Sequence, residues 1–80
     1  MAETKLEKMK QIQTKLEDIY NSQSSLIEKI AHVMTDLFND PDAELEKSLN
    51  ELHSNASANA EKAKSALDDY ELKVNNLANQ

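Results

Sequence analysis

The segment Asn39-Asp40-Pro41-Asp42 interrupts an otherwise continuous helical pattern and decides the fold. Proline disfavours helical geometry in the residue before it, yet its fixed φ suits the first turn of a new helix. These four residues therefore read as a stop followed at once by a start, with Asp40 the expected N-cap and Pro41 the first residue of the second helix. Asp42 and Glu44 then fall near the positive end of that helix dipole, where negative charge is stabilising.

On the N-terminal side the apolar positions run Met9, Ile12, Leu16, Ile19, Gln23, Leu26, Ile30, Val33 and Leu37, with spacings of three and four in alternation and one polar exception, Gln23. Helices that pack side by side show this repeat. The uncharged stretch from Asn21 to Ser25 does not break it, because the phase is the same on both sides. One helix is predicted from about Thr4 to about Phe38, with Thr4 and Glu7 spaced as a capping box. In this reading Leu26 is a buried seam residue. Leu6, Tyr20, Ile27 and Met34 form an apolar flank beside the seam, wider than one neighbouring helix needs.

On the C-terminal side the stripe is Leu45, Leu49, Leu52, Ala56, Ala60, Ala63, Leu67, Tyr70, Val74 and Leu77. The two consecutive steps of four through Leu52, Ala56 and Ala60 predict a local unwinding there. A second helix is expected from about Pro41 to about Ala78, and the short turn makes the two helices antiparallel neighbours. The whole chain, residues 1–80, is one domain: a helix over about 4–38, a turn over about 39–41 and a helix over about 41–78. Pairing residues whose numbers add to roughly 83 sets the large side chains of the first helix against the alanines of the second, as close-packed layers require. It also brings Gln23 opposite Asn59 and Ala60, so Gln23 and Asn59 are expected to pair and set the register.

Composition agrees with an all-α fold. The 80 residues include no Gly, one Pro, no Cys and no Trp, and a sheet protein would need turn glycines and β-branched runs. The absence of Cys excludes disulfides and thiolate metal sites. The charge is −6, from nine Lys and fifteen acids with no Arg, which argues against nucleic acid and anionic membrane surfaces as partners. Residues 1–39 carry five Lys and six acids, residues 40–80 four Lys and nine acids. No apolar leader or membrane span is encoded, so a cytoplasmic location is expected, with leaderless export the alternative.

No nucleophile elbow, phosphate loop, HExxH or calcium loop occurs, so no enzyme and no cofactor are expected. His32 and Asp36 stand four apart, with His53 across the hairpin. Their spacing would suit a metal ion, but exposed histidines are the simpler reading, and no metal is expected. The small, uncharged run from Ser54 to Ala60 would let another helix approach closely. The expected partner surface is therefore Tyr20, Ile27, Met34, Ala56, Asn59 and Ala60. Ordering so short a chain needs more apolar burial than one seam supplies, so the coiled-coil-like hairpin is expected to be completed into a bundle by a second copy or another protein.

A hairpin of this length broken at Asn39-Asp40-Pro41-Asp42 resembles the subunits of type III secretion needles and the small helical chaperones that hold them. Its outline is also similar to the small secreted dimers of the WXG type, whose Trp-x-Gly turn is missing here. These resemblances imply an assembly subunit or its chaperone. From the residues alone the leading expectation is a non-catalytic protein-binding or assembly module. The second is an acidic inhibitor or nucleic-acid mimic of the kind phages and mobile elements encode, motivated by the negative second helix.

Overall fold

The computed structural model describes residues 4–80. Helix α1 runs Lys5–Asp36 and helix α2 Ala43–Ala78, and they lie against each other as an antiparallel hairpin. The molecule is 58 Å long with a radius of gyration of 18.1 Å, against about 12 Å for a compact domain of this length. The hairpin is therefore a rod, with most of each helix facing away from its neighbour.

Thr4 caps α1: its Oγ1 accepts from the Glu7 amide at 3.1 Å. At the other end the helix tightens before it stops. The Leu37 amide is shared between the carbonyls of Val33 and Met34, and the amides of Phe38 and Asn39 bond only three residues back, to Thr35 and Asp36. Such three-residue bonds satisfy the last carbonyls without a glycine. Helix α1 accordingly ends at Asp36, two residues before the expected Phe38.

The start of α2 also differs from expectation. The N-cap is Asp42, in extended geometry, with Oδ1 accepting from the Leu45 amide at 3.1 Å. Asp40 is not the cap, and Pro41 precedes the helix instead of opening it. Asp42 wins because its carboxylate reaches an orphan amide three residues on while its own carbonyl takes the first helical bond, from Glu46 at 2.9 Å. Glu44 and Glu46 lie in the first turn, where the helix dipole favours them.

The residues that close between the helices are not quite those of the expected stripe. In α1 and its C-cap the partly or fully buried positions include Leu6, Met9, Gln13, Leu16, Tyr20, Gln23, Ile27, Ile30, Met34 and Leu37. In α2 they include Leu49, His53, Ala56, Ala60, Ala63, Leu67, Tyr70, Val74 and Leu77. Both series alternate steps of three and four without interruption. His53, not Leu52, occupies the seam, so the two steps of four and the unwinding inferred from them do not occur.

The core is centred on Ile30, Leu49 and Ala56, with Ile27, Met34 and Leu37 packed against it. Further along, Gln13 Nε2 donates to Glu71 Oε1 at 3.4 Å and the Lys64 ammonium stands 5.8 Å from the Tyr20 ring centroid. These contacts keep the expected register from the turn to the open end.

Candidate interaction surface

The seam has a definite consequence for what remains outside. In α1, Ile12, Ile19, Leu26 and Val33 are 42–52% exposed. They stand seven residues apart, each directly before a seam position, so they form one straight ridge along the rod. In α2 the equivalent column is Leu45, Leu52, Asn59, Ala66 and Lys73, of which Leu45 and Leu52 are 41% and 52% exposed. Because the helices run in opposite directions, the residue before the first seam position projects to the same flank of the hairpin in both. One flank is therefore apolar: an aliphatic ridge on α1 faces two leucines near the turn and the small Asn59 and Ala66 beyond them.

The opposite flank has a different character. Its α1 column is Lys10, Glu17, Ser24 and Ala31, continued by Phe38 in the turn, and its α2 column Asn50, Ser57, Lys64 and Glu71. Lys64 bonds Asp68 at 2.9 Å, which raises its ammonium above the ordinary 10.5, first through the hydrogen bond and then through the carboxylate charge. Near the turn, Ala31, Met34, Thr35, Leu37, Phe38, Glu46 and His53 line an open groove of about 330 Å³. Phe38 is 84% exposed at its edge.

Charge follows the same division. Bordering the apolar flank are Lys5, Lys8, Lys15 and Lys29 of α1 and Lys62 and Lys73 of α2, all exposed, with Asp36 and Asp69 the acids of the same border columns. The remaining helical carboxylates lie elsewhere around the rod. A chain of net charge −6 thus surrounds its exposed apolar ridge with lysines.

The expected partner surface has to be redrawn on this geometry. Ala56 and Ala60 are 4% and 9% exposed and face α1. Small side chains in the middle of α2 serve the approach of the two helices to each other and are not offered outward. Ile27 and Met34 pack on the core, and Tyr20 is half-buried beneath Lys64. Of the expected set only Asn59 lies on the exposed flank.

Leu26, read from the sequence as a core residue, is an outer one. The two apolar columns of α1 exchange roles, because either one combined with Met9, Leu16, Gln23, Ile30 and Leu37 gives the same alternation of three and four. The expected Gln23–Asn59 pair is not formed: Gln23 Oε1 is shut away from solvent with no hydrogen-bond partner, and Asn59 is exposed.

His32 is exposed and His53 lies in the seam. Among the described residues no group of three or more His, Cys, Asp or Glu side chains is placed to hold a metal ion, and no helix is long and apolar enough to cross a membrane. No family model, curated protein or solved structure matches the chain.

Proposed function

We propose that this chain is a non-catalytic interaction module that docks through the apolar flank built from Ile12, Ile19, Leu26, Val33, Leu45 and Leu52. The observation that carries this reading is the alignment of that ridge: aliphatic side chains recur at every seventh residue on a face the hairpin itself leaves open. Scattered apolar residues are ordinary on protein surfaces, whereas a contiguous row is the usual mark of a docking surface.

The surface area supports the same reading. A monomer of 9.0 kDa is expected to expose about 4,900 Å², and this chain exposes 6304 Å². The excess, about 1,400 Å², exceeds the roughly 800 Å² that each side of a standard protein interface covers. Helices with a third apolar column beside their two seam columns are those that contact a second neighbour in a bundle.

Site-specific photo-crosslinking in the cells that make the protein tests the proposal. A photoreactive residue at Leu26 is expected to yield a discrete protein adduct, and the same residue at Glu61, on the far side of α2, is expected to yield none. Adducts equally abundant from both positions, or absent from both, would overturn the docking-module reading. The mass of the adduct distinguishes a second copy of this chain from a different protein.

A further inference from the structure

Granted the docking reading above, the border of the ridge identifies the chemistry of what docks. We infer that the occupant is an acidic amphipathic helix, whose apolar stripe lies along Ile12, Ile19, Leu26 and Val33 while carboxylates on its two edges meet the flanking lysines.

Three features lead to this partner. The ridge is straight and spans roughly 30 Å from Ile12 to Val33, the length of about six helical turns. Its step of seven residues matches the spacing with which a packed helix presents its own apolar row. Between the ridge and α2, Asn59 and Ala66 are short, so a third helix can settle over them against Leu26 and Ile19 and contact both helices of the hairpin, as ridges pack into grooves.

Charge selects among possible helices. Lys8, Lys15 and Lys29 follow the ridge on its outer side, and Lys62 and Lys73 stand across the trough on α2. Asp36 at the turn end and Asp69 beyond Lys62 interrupt these borders, but lysines outnumber acids on both sides. A partner edged with Glu or Asp therefore finds mostly opposite charge, and one edged with Lys mostly like charge. The same arrangement disfavours a second copy docked face to face, since that would bring the lysine borders of both copies together. A lipid surface fits less well. The aliphatic ridge carries no Trp or Tyr at its border, where interfacial helices place amphipathic rings, and the rest of the rod is strongly acidic.

The test uses two synthetic helical peptides of roughly 24 residues, about the length of the ridge. Both carry Leu on one stripe; one is edged with Glu and the other with Lys. Fluorescence anisotropy with the full chain is expected to show saturable binding of the Glu-edged peptide and, for the Lys-edged peptide, binding weaker by about tenfold or more. Leu26→Asp is expected to abolish binding while leaving the hairpin's helical melt near that of the parent. The double change Lys15→Glu and Lys29→Glu is expected to reverse the preference.

Equal binding of the two peptides, or binding of neither, would overturn the acidic-helix assignment without touching the docking reading, which rests on the crosslink from Leu26. Two other results would also overturn it. One is a stable dimer by light scattering that Leu26→Asp dissociates. The other is co-sedimentation, lost in Leu26→Asp, with phosphatidylcholine vesicles containing one-third phosphatidylserine.

Discussion

At the scale of single residues, Gln23 differs from the other polar seam residues, Gln13 and His53, in holding a buried oxygen with no partner. Gln23 sits among apolar neighbours with its Oε1 shut from water and unbonded, and a buried acceptor left unpaired costs about 1–3 kcal/mol. Gln23→Leu fills the position with a side chain that has no such requirement. It should raise the stability of the hairpin by about 1–2 kcal/mol, measured as an upward shift of the urea midpoint with an unchanged slope. An unchanged or lowered midpoint would mean that Gln23 is satisfied in solution. A lower slope would instead point to a loss of the unique register that one polar seam residue can enforce. His53 belongs to the same scale: pattern reading prefers Leu52 because leucine is apolar, but the continuous alternation of three and four residues passes through His53. Side-chain polarity misleads there, and spacing is the better guide.

At the scale of elements, both helices and the reversal between them were legible, because a glycine-free chain with a three-four apolar repeat and a single Asn-Asp-Pro-Asp interruption has few other folds open to it. The cap of α2 was less legible, since Asp40 and Asp42 are chemically equivalent candidates and only the geometry of the turn distinguishes them. The structure assigns the role to Asp42. Asp42→Ala is therefore expected to cost about 1 kcal/mol, and Asp40→Ala to stay within about 0.5 kcal/mol of the parent, as read from thermal melts followed by circular dichroism. The reverse order would place the helix start two residues earlier. What the sequence could not settle was which of two columns of α1 faces α2. The Ile12-Ile19-Leu26-Val33 column and the Leu6-Gln13-Tyr20-Ile27-Met34 column each alternate by three and four with the shared one. The sequence offers the choice, and only packing decides it: Tyr20 lies under Lys64, Gln13 reaches Glu71 and Ile27 packs on the core of Ile30, Leu49 and Ala56. For that reason the width of the apolar face could be read in advance, while the residues on its free side could not.

At the scale of the whole molecule the rod has too little interior for its surface. The buried apolar residues among those described are Ile30, Leu49, Ala56, Ala60, Leu67 and Val74, and four of these six are small or β-branched. A chain built this way should be only weakly stable alone and should gain stability from whatever covers its open flank, because a ligand that binds only the folded form raises the unfolding midpoint with concentration. Titrating the Glu-edged peptide should therefore raise the melting temperature progressively, while X-ray scattering of the isolated chain at low concentration should give a radius of gyration near 18.1 Å. A value near the roughly 12 Å of a compact domain would mean that the hairpin folds over its own open flank. The separation of lysines and carboxylates around the rod has one more consequence, and it concerns time instead of affinity. Charge of opposite sign on opposite long sides gives the molecule an electric dipole perpendicular to its axis, so the field of an approaching anionic helix turns the rod before the two touch. Fewer collisions are then wasted on the wrong face, and added salt should slow association far more than it hastens release.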